Sequence, residues 1–249
     1  MTQWIRLAGE WVAGSMAFAV ACYAAYAAIR WLQYGRVAAP TRADEADLLL
    51  DPCMPRYEVA ERHCVRVAAP PEATFAAASA LNLRQSRLVR AIFRIRQLLL
   101  RGNRQEKSDA PGSFIEEIRA LGWRVLAEIP GRETIFGTVT QPWVPDVVFR
   151  ALSSEEFAKF DEAGYVKIAW TMRTDPAGPG ESIFRSETRA VTTDPLGQRK
   201  FRRYWSVFSP GILLIRIIAI RLVKREAERW VVEHQNARRV SEPSLPAKG

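Results

Sequence analysis

The sequence predicts an α+β domain, an antiparallel meander closed by one long C-terminal helix, carried behind a single apolar N-terminal helix. Three observations point there. Trp11 to Ile29 is nineteen residues without a charge. Period-two alternation recurs through the middle of the chain, as half-buried strands require. After Pro210 the run GILLIRIIAIRLV has helical length and opens a helix to about Glu233.

Of 249 residues, those beyond the first forty amount to about two hundred, enough for one domain. The 48% apolar content supplies a sizeable core. A formal charge of +9, from 36 Lys and Arg against 27 Asp and Glu, fits anionic lipid or nucleic acid as a partner, and equally a solvated Arg-rich face. Cys22 lies in the apolar segment, so Cys53 and Cys64 allow at most one disulfide within the domain. With no CxxC and only His63 and His234, no metal site and no cofactor is expected.

Residues 1–35 read as a membrane anchor with its span at about 11–31. Nineteen residues at about 1.5 Å each cover roughly 28 Å, close to a hydrocarbon core of about 30 Å. Trp11 at one end and Trp31 and Tyr34 at the other suit the interface. A cleaved signal peptide would have a more basic start and a shorter core. Arg30, Arg36 and Arg42 outnumber Arg6, which places the domain on the cytoplasmic side of the cell (inner) membrane.

Residues 36–55, with three prolines and the acids Asp44, Glu45 and Asp47, read as a linker. The folded domain follows over 56–236. Tyr57 to Val67 alternates as a strand, with Tyr57, Val59, Val65 and Val67 on one face and Glu58, Arg62 and Arg66 on the other. Pro70-Pro71-Glu72 opens an Ala-rich helix to Leu81. Arg84 to Leu100 is amphipathic: Leu88, Ile92, Ile95 and Leu99 form a stripe, opposite Arg87, Arg90, Arg94 and Arg101. Gly102 to Ser108 reads as a polar loop, and Ser113 to Gly122 as a short helix with a capping-box pattern.

Trp123 to Ile129 and Thr134 to Thr140 read as a hairpin about Pro130-Gly131, with Trp123, Val125, Ala127 and Ile129 on one face. Ser153 to Phe160 is a short capped helix. Strands follow at Tyr165 to Arg173, Ser182 to Thr192 and Lys200 to Phe208. The C-terminal helix resembles a second membrane span, but Arg216 and Arg221 interrupt it, so it is expected to lie on the sheet. Residues 237–249 are expected to be a disordered tail.

Three segments, YEVAERHCVRVAAPPEATFAAASAL, YVKIAWTMRT with SIFRSETRAVTTD, and RKFRRYWSVFSPGILLIRIIAIRL, give the order strand, helices, meander, long helix. This order resembles the START-like, or SRPBCC, helix-grip superfamily over about residues 56–234. The sequence departs from compact members in its anchor and in the Pro-rich stretch around Trp143 to Pro145. The resemblance implies a curved antiparallel sheet around the terminal helix, with a cavity between them for a lipid or other apolar small molecule. Some members are cyclases or hydroxylase domains; many only bind or carry.

Glu61 and His63 fall on the inward face of the first strand, where a carboxylate and an imidazole could serve as acid and base or hold a ligand hydroxyl. Trp123, Phe136, Trp170, Phe184, Phe149 and Tyr204 are candidate cavity aromatics, with Ser186 and Thr188 as polar anchors, although sheet aromatics also simply fill cores. Arg87, Arg90, Arg94 and Arg101 are candidates for a membrane surface. No RNA-binding pattern accompanies them, so no nucleic-acid partner is expected. Nucleotide-loop, serine-hydrolase and zinc-protease motifs are absent. The expected function is membrane-tethered binding of an apolar molecule; the alternatives are a cyclase-type enzyme using Glu61 and His63, or a scaffold for an acidic partner.

Overall fold

The computed structural model describes residues 2–37, 46–81, 87–100 and 114–241. Helix α1 (Thr2–Gln33) precedes a short turn α2 (Leu50–Cys53), strand β1 (Val59–Val67) and helices α3 (Pro71–Ala80), α4 (Arg87–Leu100) and α5 (Phe114–Ala120). Strands β2 (Arg124–Ile129), β3 (Glu133–Thr140) and β4 (Phe149–Arg150) are followed by α6 (Ser154–Lys159), β5 (Val166–Gly178), β6 (Glu181–Thr192) and α7 (Pro195–Ser241). The six strands form one curved antiparallel sheet in the order β1-β6-β5-β3-β2, with β4 paired to the end of β3. Helix α7 lies across one face. Sheet and helix together make the expected helix-grip architecture.

Local chemistry places these elements. Pro70 is extended (φ −64°, ψ 155°) and Pro71 takes the first helical position of α3, where a missing N–H costs no hydrogen bond. Ser153 and Glu156 form a reciprocal capping box at the start of α6. Gly122 stops α5 with φ +98° and turns the chain into β2.

The structure corrects the sequence reading at several points. Lys200 to Phe208 is helical, not a strand. Asp194 accepts the backbone N–H groups of Leu196 (3.0 Å) and Gly197 (3.1 Å), and Pro195 follows it, so α7 starts there. Its buried positions then recur at four-residue spacing, Phe201, Trp205 and Ser209. In β2 the register slips between Val125 and Ala127. This bulge puts Trp123 and Val125 with the core on the α7 side, while Leu126 and Ala127 join the core on the opposite side. Tyr57 precedes the strand and packs with that opposite core, against Arg62 and Arg189, rather than beside Val59.

The end of the expected linker is packed. Asp47, Leu50 and Met54 are buried against the back of the sheet beside Ile135, Val139 and Ala169. Helix α7 reaches Ser241, inside the expected tail, whose remainder lies outside the described residues. The polar loop 102–108 and Arg101 also lie outside them. Cys53 and Cys64 are free thiols.

Helix α1 does not stand clear of the domain. Its last turns rest on α7: the Tyr23 hydroxyl donates to the Val207 carbonyl, Tyr26 meets Ser209, and Arg202 Nε donates to the Trp31 carbonyl at 2.8 Å. The stretch Glu10–Gln33 is long and apolar enough to cross a membrane and is not buried. Pro195–His234 passes the same test of length and composition but is partly buried on the sheet.

Candidate functional site

On the sheet face toward α7, two apolar clusters are separated by a polar band. At one end Val59, Ala190 and Ile168 pack with Phe201, Trp205 and Ile212. At the other Val65, Val67, Phe184, Met172, Phe136 and Trp170 pack with Ile220, Val223 and Ala227. Between them on β1 stand Glu61 and His63, opposite Thr188 and Ser186 of β6. One cross-strand row runs from Glu61 through Thr188, Trp170 and Phe136 to Val125.

Helix α7 contributes Arg216 to the same band. The helix stripe Ile212, Arg216, Ile220, Val223, Ala227 keeps spacings of four and three residues. Arg216 therefore occupies a core-facing position between the two clusters. Its Nε is sealed from solvent and has no hydrogen-bond partner among the described residues. Burial holds its pKa down at about 10, partly offset by the Glu61 carboxylate.

Arg30, in the last turn of α1, reaches into the band and pairs with Glu61. Its guanidinium also lies over the rings of Trp205 (5.6 Å) and Tyr26 (5.9 Å). Its Nε, like His63 Nε2 and Thr188 Oγ1, is buried without a partner among the described residues. Burial lowers the His63 pKa; Arg216 lowers it further and Glu61 works the other way. Burial and Arg216 both favour the neutral imidazole.

Each residue singled out in the sequence can now be placed. Glu61, His63, Phe136, Trp170, Phe184, Ser186 and Thr188 lie on the α7 side of the sheet. Trp170 Nε1 donates to Ser186 Oγ at 2.7 Å and its ring stacks on Phe136 at 5.2 Å. Phe136 and Phe184 are buried in the packed cluster, and Trp123 borders it, tilted against Phe149. Tyr204 is not on the sheet. It sits on α7, stacked on Phe208 at 4.9 Å and beneath Arg96. Arg94 is exposed on α4; the side chains of Arg87 and Arg90 lie outside the description.

The sequence reading missed Arg216 and Arg30 as members of this band. It took Arg216 for an interruption of an apolar helix and Arg30 for a topology charge. The available signal was the apolar stripe of α7, which continues unbroken on both sides of Arg216.

The opposite sheet face is also rich in charge, but there opposite charges meet. Arg189, 1% exposed, pairs with Glu187 (2.7 Å) and Asp51 (2.6 Å) and lies over the Tyr57 ring at 4.5 Å. Asp175 takes Arg173 and Arg185 at 2.9 and 3.1 Å. Among the described residues no three His, Cys, Asp or Glu side chains converge as a metal site would require.

The strand order and the helix gripped across it define the class of fold, a helix-grip architecture. No protein-family model matches the sequence, and no curated protein is similar to it. Among solved structures the chain is similar to CalU16 from Micromonospora echinospora, with 13% identity over 70% of this chain and 86% of that one, TM-score 0.24. It is similar to the Zhui aromatase/cyclase from Streptomyces sp. R1128, with 11% identity over 70% and 95% of the two chains, TM-score 0.27. Norcoclaurine synthase from Thalictrum flavum, in complex with dopamine and hydroxybenzaldehyde, gives 14% identity over 71% and 87%, TM-score 0.27. At these values nothing about ligand or chemistry passes from those proteins to this one.

Proposed function

We propose that the protein is a membrane-tethered binding protein that holds an apolar small molecule between α7 and the sheet. The observation that carries this reading is the polar band inside an otherwise apolar face. Buried polar atoms without partners cost free energy, about 1–3 kcal/mol each. Arg216 Nε, His63 Nε2 and Thr188 Oγ1 are three such atoms on facing elements. A ligand that supplies their partners recovers that cost.

The tether is α1, with its span near 11–31. The contacts of Tyr23 and Tyr26 with α7 bring the bilayer alongside the domain. The surfaces facing that way suit it: Val207, Leu214 and Ile217 are exposed on α7, and Ile95, Leu98 and Leu99 on α4. Helix α4 meets α7 through Ile92, whose Cγ2 would lie 2.9 Å from a Cβ on Gly211. With Arg94 on its flank and three exposed apolar residues, α4 has the character of a helix lying in the interface plane.

The cyclase alternative finds less support in the geometry, because the Glu61 carboxylate is engaged by Arg30 instead of His63.

The test is native mass spectrometry of the full chain purified from cells in detergent, followed by extraction. A defined apolar molecule at near one-to-one stoichiometry is the expected result. A clean ligand-free mass, with no uptake from a lipid mixture, would overturn the reading.

A further inference from the structure

We infer that the polar band is an anion site: it binds the carboxylate or phosphate head of a single-chain amphiphile between Arg216 and Arg30, with the tail along the sheet. This rests on the reading of the α7–sheet face as the ligand site, and names the class of its ligand.

The charges within the band do not balance. Among the described residues, Arg30, Arg216, Glu61 and His63 are the ionisable groups that meet there. Glu61 answers one guanidinium through a direct ion pair. Arg216 has the Glu61 field across the gap but no hydrogen-bond partner at Nε. Two guanidinium groups thus face one carboxylate, even before any charge on His63 is counted. Arg216 is half-buried, so leaving its charge unpaired carries part of the cost of a buried cation. On the opposite sheet face the same protein surrounds Arg189 with Glu187 and Asp51, both in contact.

The four unpartnered atoms of the band can all act as donors. Arg216 Nε and Arg30 Nε are donors only; the Thr188 hydroxyl and His63 Nε2 can each donate. A ligand rich in acceptors satisfies all four, whereas a hydroxyl or amide satisfies one or two. Guanidinium forks match carboxylate and phosphate in the plane and bind them through paired N–H groups. Position adds a further argument. One of the two arginines belongs to α1, so the head of the ligand would be held where the membrane helix meets the domain, within reach of molecules leaving the bilayer.

The test uses the full chain in nanodiscs of zwitterionic phosphatidylcholine. Oleate, oleyl alcohol and 1-oleoyl lysophosphatidate are each added at the same mole fraction, and the bound fraction is read by native mass spectrometry. These share one tail and differ in head. The expected result is that one or both anions bind at least about tenfold better than oleyl alcohol, a ratio set by a charge-assisted hydrogen bond. Preference for oleate identifies a free carboxylate as the source; preference for the lysophosphatidate identifies a lipid phosphate. In Arg216→Gln the preference for the anions over oleyl alcohol should vanish, and Arg216→Lys should restore part of it. Thermal unfolding of each variant separates lost folding from lost recognition. Should Arg216→Gln not fold, Thr188→Val provides the second probe, with an expected drop of about threefold in the ratio of anion to alcohol binding. Equal binding of alcohol and anions by the wild type, or anion preference untouched in Arg216→Gln, would overturn the anion site and leave the proposed α7–sheet ligand site standing. Binding of none of the three would overturn both.

Discussion

Arg30 in the last turn of α1 forms an ion pair with Glu61 at the middle of β1. The apolar N-terminal helix is thus joined to the first strand of the domain by a contact that also closes one side of the candidate site. The two side chains are 21% and 14% exposed, so solvent screens the pair only in part.

That pair makes an asymmetric prediction. Glu61→Gln leaves Arg30 and Arg216 facing each other without an anion, and should cost about 2 kcal/mol, below the range of about 3–5 for a fully buried pair. Arg30→Gln leaves Glu61 with Arg216 and should cost less. The double variant should recover part of the loss, with a coupling of about 1–2 kcal/mol in a double-mutant cycle measured by urea unfolding in detergent. Equal costs for the two single variants would argue that Arg216 is remote from Glu61 in solution.

A second prediction concerns the back of the sheet. Glu133 on β3 is 4% exposed, and Asp47 beside it is 3% exposed. Burial, and then the hydrogen bond and charge of Asp47, push the Glu133 carboxyl up to about 8 from 4.5. The native state therefore keeps a proton that the unfolded chain releases above about pH 4.5. That contribution to stability is complete below pH 4.5 and is lost as pH rises towards 8. Melting temperature should fall across this window, and Glu133→Gln, which cannot ionise, should flatten the fall.

Gly122 tests the joint between α5 and β2. A Cβ there would lie 2.1 Å from the Phe149 carbonyl oxygen, and the backbone has φ +98°. The obstacle is backbone and cannot swing away. Gly122→Ala should cost about 3 kcal/mol, the sum of conformational strain and overpacking, read by chemical denaturation.

Native cysteines report the orientation. Cys64 is exposed on the domain, whereas Cys22 lies on α1 within the proposed span. Cys53 is half-buried, and burial followed by the charge of Asp47 raises its thiol pKa. In a Cys22→Ser/Cys53→Ser chain, a membrane-impermeant maleimide should label Cys64 only after the cells are opened. Labelling of intact cells would place the domain outside.

Much of the inward face was legible because strands alternate with period two. Glu61, His63, Trp170, Ser186 and Thr188 could be assigned to one face from spacing alone, and pairing has put them in adjacent rows. The reading failed where a local signal competes with periodicity. The bulge at Leu126 flips the second half of β2, and nothing in RVLAEI announces it. Lys200 to Phe208 mixes aromatic and basic residues in a way that also suits a strand; the cap at Asp194 decides for helix.

By itself the sequence determined the α+β class, the apolar helix ahead of it and the positions of the turns. These depend on residues close in the chain, through hydrogen-bonded caps, prolines, glycines and periodic burial. Only the tertiary structure decided that Arg216 and Arg30 share a band with Glu61 and His63, and that Asp47 meets Glu133. Those meetings join residues from distant elements whose separation is fixed by how helix and sheet pack. The charge imbalance of the site is a property of that packing, since each of its members has an ordinary neighbourhood in the chain.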